Sequence, residues 1–281
     1  TRSSGRLVRG TLRVPPRRRD ARQTGLAGRE ARKDVVVAGE ARYRAQACAL
    51  SDGFECDLQQ LRSGNLVTLH DATLWRTATF PNRNGLASLF LRACPVGWLD
   101  DAAVADADVG NGEAPPRVDE IMGLALDRQK ICFAELKAPE GASAAEVDAL
   151  ACAAAGAAPA GLDHLLTWIS FSPDLCEAMK QKSPDHKAFL VAYVHDEAGC
   201  RAVAADAAKR GLDGIDVNAG SHVTRAVVDE CAALNLKVVV YVYRAPAVND
   251  VPALWASSRD AGVWAFTSNL PAGVDSAVAA N

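Results

Sequence analysis

No stretch of the 281 residues approaches the apolar run of about 18 or more that a membrane-crossing helix needs, so no transmembrane segment is expected. A dominant charge is also missing. The 31 Lys and Arg against 34 Asp and Glu leave a formal net charge of −3, which argues against a nucleic-acid surface spread over the protein, and no nucleic-acid partner is assigned. The eight cysteines include no C-x-x-C pair and no Cys/His spacing of a zinc site. They are dispersed, and Cys48, Cys132, Cys152 and Cys231 lie in apolar segments, where a small core residue is expected rather than a bridge partner. Free thiols fit a reducing compartment, and a cytoplasmic setting is favoured, with organellar and secreted ones left open. Histidine is scarce: there are five, and none precedes His70.

The strongest local bias is at the start. The first 22 residues hold eight arginines against the single acid Asp20 and include Pro15-Pro16-Arg17-Arg18-Arg19. They lack the apolar core of a secretory signal. Residues 1–30 read as a basic, flexible segment in preference to a transit-type one, and 31–281 as a single domain.

Within that domain short β-rich runs alternate with alanine-rich helical stretches, the pattern of α/β architecture. Strands are expected at Val35–Ala38, Gly53–Leu58, Lys130–Lys137, Leu165–Phe171, Ala188–Tyr193, Gly214–Val217, Lys237–Tyr243 and Val263–Thr267, with a shorter run at Leu66–Leu69. Helices are expected at Arg42–Leu50, Val118–Leu126, from Ser143 onward, and at Pro173–Lys180, Val203–Lys209, Val223–Leu234 and Val251–Ser258. Ser143 with Glu146 three residues on is a capping-box pattern. Eight near-continuous apolar strands with helices between them point to a (β/α)8 TIM barrel, the alternative being a doubly wound sheet. Residues 77–116 hold four prolines and no clear repeat, and read as a long excursion over one end, with Phe90, Leu91 and Trp98 packing part of it.

Charge on the strands is confined to a few positions. Glu55 and Asp57 are two apart on one strand and therefore share a face. Two carboxylates turned together into a barrel interior repel and lose solvation unless a cation neutralises them; the alternative is a solvated edge face. All-oxygen ligands suit Mg²⁺, Ca²⁺ or Mn²⁺ better than zinc. Glu135 and Lys137 repeat the arrangement near the C-terminal end of their strand, the end where barrel active sites lie. Glu135 is a candidate third ligand, and Lys137 a candidate for holding a negatively charged oxygen; a purely structural ion pair is the alternative. His70, followed by Asp71, is a candidate proton shuttle or a plain turn histidine. His195 also follows a strand, whereas His164, His186 and His222 look peripheral or loop-borne.

Asp52-Gly53-Phe54-Glu55-Cys56-Asp57-Leu58, followed by Leu66 to Thr77 with His70-Asp71 and Arg76-Thr77, resembles the D-G-x-E-x-D strand and H-D-x-x-L-x-R-T segment of the glycerophosphodiester phosphodiesterases. Ala134-Glu135-Leu136-Lys137 is similar to that family's E-x-K strand, Trp168-Ile169-Ser170-Phe171-Ser172 to its S-F strand, and Thr267-Ser268-Asn269-Leu270-Pro271 to its closing element. The resemblance runs from about residue 35 to 275. It implies a phospholipase-C-like barrel with Glu55, Asp57 and Glu135 as ligands of a divalent cation, Mg or Ca. His70 then stands for the second catalytic histidine, Lys137 for a substrate-contacting lysine, and Arg76 for a further substrate contact. The implied partner is a small phosphodiester or a phospholipid head group, and the implied reaction is hydrolysis to glycerol 3-phosphate and an alcohol, with His70 as general acid.

One departure weighs against turnover. The family's A-H-R-G segment at the end of the first strand, and the E-N-T that follows it, are absent. Either Ala27-Gly28-Arg29-Glu30 takes that place, or Val35–Ala38 is the first strand and Gly39-Glu40-Ala41 replaces the motif; the apolar run favours the second. Both readings lose the first histidine, and losing one proton-transfer role costs about 10²–10⁴-fold in rate. Three alternatives therefore stand beside the hydrolase: an impaired barrel that binds a phosphodiester or a protein partner, a sphingomyelinase D-like phosphodiesterase, and a sugar hydrolase using Glu55 and Glu135.

Overall fold

The apolar runs become strands, and the strands become one sheet. A computed structural model of the chain describes residues 34–37, 51–110, 112–242 and 252–268. The chain enters through β1 (Asp34–Val37) and β2 (Gly53–Gln60), then turns back through β3 (Leu66–Thr68). Two short helices, α1 (Gly85–Ala93) and α2 (Asp101–Ala105), precede α3 (Val118–Arg128). A strict alternation follows: β4 (Ile131–Leu136), α4 (Ala144–Ala157), β5 (Leu166–Ser170), α5 (Pro173–Lys182), β6 (Lys187–Ala192), α6 (Glu197–Lys209), β7 (Gly214–Asn218), α7 (Arg225–Ala233), β8 (Lys237–Tyr241), α8 (Pro252–Ala261) and β9 (Ala265–Ser268).

From β4 to β9 the parallel strands pair in chain order, β2 pairs with β4, and β1 pairs in parallel with both β2 and β9. β3 adds a short antiparallel arm to β2. The result is a curled, TIM-barrel-like α/β sheet. No helix among the described residues is long and apolar enough to cross a membrane.

Period-two alternation sorts the side chains. On β2 and β4 the residues Phe54, Cys56, Leu58, Cys132, Ala134 and Leu136 are fully or almost fully buried and join the core that includes Ile121, Leu150 and Leu175 of the helices. The opposite face carries Glu55, Asp57, Phe133 and Glu135. Low on that inner face Phe133, Phe189 and Trp264 pack with ring centroids 5.6–6.2 Å apart, forming an aromatic floor. Lys237 Nζ lies 4.2 Å from the Trp264 ring centroid. Gly214 makes the floor fit, since a Cβ there would meet the Phe189 ring at 2.8 Å and the Lys237 carbonyl at 2.6 Å.

The expected helix start at Ser143 is realised: its hydroxyl accepts from Glu146 N, and Glu146 Oε2 accepts from Ser143 N at 2.8 Å. The helix expected at Arg42–Leu50, together with Cys48, lies outside the described residues. Three expectations need correction. The excursion at 77–116 contains α1 and α2, started by Asn84 and Asp100, whose side chains accept from Ala87 N and Ala103 N; both helices are too short to show a readable period. Leu91 packs as expected against a small core of Leu74, Phe80, Val96 and Leu99, but Phe90 and Trp98 are exposed. Cys152 is also exposed, on α4.

Candidate active site

β2 and β4 run side by side in a register that sets Asp57 against Glu135. Both side chains are inward and buried, and Glu55 lies on the same face of β2, buried as well. The three carboxylates each offer an oxygen within 4.8 Å of the others. Lys137, the first residue after β4, reaches back over them, with its Nζ 2.8 Å from Asp57 Oδ1 and 2.5 Å from Glu135 Oε1. The backbone fixes this reach, because Lys137 N donates to Leu58 O at 3.0 Å.

The electrostatics follow from the crowding. Burial, then the neighbouring Asp57 and Glu135, push the Glu55 carboxyl well above the ordinary carboxylate range. Burial likewise raises Glu135, opposed by the Lys137 ammonium and reinforced by Asp57. Burial alone would lower Lys137, but Asp57 and Glu135 outweigh it and hold the ammonium protonated. One lysine thus faces three carboxylates. Glu55 Oε1 is buried and accepts no hydrogen bond among the described residues. A cation suits such an orphaned oxygen, and three converging carboxylates fit a hard divalent ion.

His70 sits on the turn that follows β3. Leu69 N donates to Asp57 O at 3.0 Å, which ties that turn to the end of β2. Gln59, also on β2, donates from Nε2 to the carbonyls of Leu69 (2.8 Å) and Asp71 (2.7 Å), bracketing the histidine. His70 Nδ1 lies 2.8 Å from Asp71 Oδ1. Arg76 donates to both oxygens of Asp71, from Nε at 2.8 Å and from Nη2 at 2.9 Å. That fork, followed by the His70 contact, holds the Asp71 carboxyl below its ordinary value despite partial burial. His70 and Lys137 line one cleft of about 600 Å³.

The geometry brings Glu55, Asp57, Glu135 and Lys137 together, with His70, Asp71 and Arg76 as a chain at the rim. His195 is exposed and makes an edge contact with Tyr193, ring centroids 4.9 Å apart. His164 is exposed, while His186 and His222 are buried in loops, against Ser183 and the Asn218 carbonyl. Residues 27–30 and 38–41, where the first-strand motif was sought, lie outside the described residues. Two residues escaped the sequence reading. Gln59 acts only through main-chain carbonyls. Asp216 on β7 is buried with no hydrogen-bond partner for Oδ1 among the described residues; burial, then Glu135, raise its carboxyl well above the usual range. An acid inside the apolar run Gly214-Ile215-Asp216-Val217 was the available signal.

Carboxylates gathered at the C-terminal mouth of such a sheet, with a lysine among them and a histidine–aspartate pair beside them, mark a phosphodiesterase-like hydrolase, and the chain is of that class. It belongs to the Glycerophosphoryl diester phosphodiesterase family, whose profile matches residues 43–272. Solved structures agree at the level of fold. A protein from Silicibacter pomeroyi assigned to the glycerophosphoryl diester phosphodiesterases is 17% identical, with a TM-score of 0.72 over 88% of this chain and 92% of its own. A phosphodiesterase from Oleispira antarctica, in complex with the product sn-glycerol-3-phosphate, is 16% identical, with a TM-score of 0.68 over 88% and 97%. A glycerophosphodiester phosphodiesterase from Parabacteroides distasonis is 17% identical, with a TM-score of 0.65 over 89% and 97%. None of the curated proteins compared with the chain matches it.

Proposed function

We propose that the chain folds as a (β/α)8 barrel of the phospholipase-C-like type and hydrolyses a glycerophosphodiester to glycerol 3-phosphate and an alcohol at this mouth. The observation that carries the reading is the triad of Glu55, Asp57 and Glu135, buried within 4.8 Å of one another beneath Lys137. The triad would hold Mg²⁺ or Ca²⁺, which when bound supplies Lewis-acid polarisation of a phosphoryl oxygen. Lys137, held protonated, offers an ammonium to a second phosphoryl oxygen. Arg76 adds positive charge at the rim and fixes Asp71. Asp71 accepts from His70 Nδ1, which leaves Nε2 to carry the proton delivered to the departing alcohol as general acid. The sugar-hydrolase alternative is disfavoured, since carboxyl groups in such enzymes stand roughly 5–9.5 Å apart with no lysine needed between them.

A second reading is favoured by one observation: no histidine precedes His70, so the family's first catalytic histidine has no counterpart. In that reading the mouth binds a phosphodiester without turning it over. The test is release of glycerol 3-phosphate from glycerophosphocholine with Mg²⁺, Ca²⁺ or EDTA, for the wild type and for His70→Ala. Cation-dependent release that drops about 10²–10⁴-fold in the variant supports the hydrolase. Cation-dependent binding of the diester without release replaces it with the binding barrel.

A further inference from the structure

We propose that α1 of the excursion docks the chain on a phospholipid surface that carries anionic head groups. The inference concerns where the chain sits and does not depend on which reaction the mouth performs.

The observation behind it is a helix built inside out. A surface helix ordinarily buries its apolar stripe and turns its polar side to water. On α1 the half-buried residues are Ala87, Ser88, Leu91 and Arg92, so a hydroxyl and a guanidinium lie on the sheltered side. Leu86, Leu89 and Phe90 are spaced to share the opposite face, where Leu86 is 82% and Phe90 68% exposed. No residue of α1 is buried. Trp75 and Trp98 are exposed on the same unit, so five of the eight exposed large hydrophobic residues among the described ones lie between Ala72 and Leu99. Apolar side chains gathered in this way mark an interaction surface, whereas scattered single ones are ordinary.

Fraying does not account for the open face. The Asn84 side chain accepts from Ala87 N and starts α1. Arg92 Nη2 donates to Trp75 O at 2.5 Å, and Val96 N donates to Ala72 O at 2.9 Å. Thr79 and Asp108 exchange main-chain hydrogen bonds at 2.8 and 2.9 Å. Leu74, Phe80 and Leu99 are buried beneath. The face is therefore held outward by a well-tied unit.

Charge and area choose the occupant. Between Ala72 and Leu99 stand three arginines and no acid. Arg76 and Arg83 pair with Asp71 and Asp106, outside the stretch. Arg92, at the end of α1, forms no ion pair among the described residues and lies 4.9 Å from the Trp75 ring centroid. Tryptophan and arginine at the edge of a Leu/Phe face is the make-up of a segment that lies in the head-group layer, where the cation meets lipid phosphate. The five side chains together expose on the order of 600 Å², short of the roughly 800 Å² per partner that a stable protein interface buries. A lipid surface needs no matching shape, since its hold grows with immersed apolar area and with cationic charge.

The experiment is flotation of the full chain with phosphatidylcholine vesicles, with and without phosphatidylglycerol. Wild type is expected to be retained, more strongly with phosphatidylglycerol. Leu86→Ser combined with Phe90→Ser is expected to lower retention about tenfold or more. Thermal unfolding of that double variant is expected to match wild type, because both side chains are exposed. Arg92→Gln is expected to cost about fivefold on phosphatidylglycerol vesicles and little on phosphatidylcholine alone. Retention that the double variant keeps in full would assign the binding to the eight arginines of the first 22 residues and overturn the proposal. Absence of wild-type retention would overturn it as well. So would a dimer in size-exclusion chromatography that the double variant breaks, since a second copy would then be the occupant.

Discussion

Replacing Lys137 with methionine keeps most of the stem and removes the ammonium that, among the described residues, contacts both Asp57 and Glu135. In the wild type the ammonium lies 2.8 Å from one carboxylate and 2.5 Å from the other, and both are buried. Without it, three carboxylates face one another in a low-dielectric mouth, already crowded enough to push Glu55 upward. Removing one partner of a buried ion pair costs roughly 3–5 kcal/mol, because the other charge is left uncompensated. Lys137 keeps a quarter of its side chain in solvent, so the low end applies, about 3 kcal/mol. For a domain of this size each kcal/mol moves Tm by roughly 2–4 °C, giving a drop of about 6–12 °C. The assay is thermal unfolding followed by far-ultraviolet circular dichroism, with EDTA and then with Mg²⁺ or Ca²⁺. The ion is expected to recover more Tm in Lys137→Met than it adds to the wild type, since it replaces a missing charge. A variant as stable as the wild type in EDTA would refute the claim that Lys137 compensates the acidic triad.

Three further outcomes follow from the same geometry. Because Glu55 is raised above its ordinary value of 4.5 on folding, its favourable contribution is complete below that pH and is lost as pH rises through the folded value. Cation-free wild type is thus expected to lose up to about 1.4 kcal/mol per pH unit relative to Glu55→Gln across that window; parallel denaturation curves for the two at each pH would contradict it. Gly214→Ala is expected to destabilise by about 1–3 kcal/mol, because the added methyl meets the Phe189 ring and the Lys237 carbonyl; urea titration measures it, and an unchanged midpoint would show that the floor yields. Gln59→Ala frees the carbonyls on either side of His70 and is expected to lower kcat about tenfold or more with a smaller change in KM; steady-state kinetics on glycerophosphocholine would expose the error if kcat holds.

The inner-face cluster was legible because β2 and β4 invert the usual sign of alternation. Phe54, Cys56, Leu58, Cys132, Ala134 and Leu136 face the helices, so every charge between them has to point inward, and few positions can tolerate that. The strand count was legible for a related reason, since parallel strands covered by helices read as near-continuous apolar runs. Gln59 was not legible, because its partners are main-chain carbonyls that no side-chain pattern encodes. The two excursion helices were hidden by their length. Phe90 and Trp98 were misjudged because apolar residues in a stretch without a readable period look the same in sequence whether they pack inward or stay exposed. Cys152 failed similarly: an alanine-rich helix such as α4 is apolar on more sides than it buries.

The aromatic floor of Phe133, Phe189 and Trp264 makes the mouth a cul-de-sac. Two clefts reach Lys137, one past His70 and Trp98 and one past Ser170 and Ser172, so whatever binds there comes and goes on the rim side of that floor. Trp98 of the excursion lines the first of these clefts, whereas Glu55, Asp57 and Glu135 do not, so a change at Trp98 is expected to act on exchange at the rim and to leave the buried acidic layer in place.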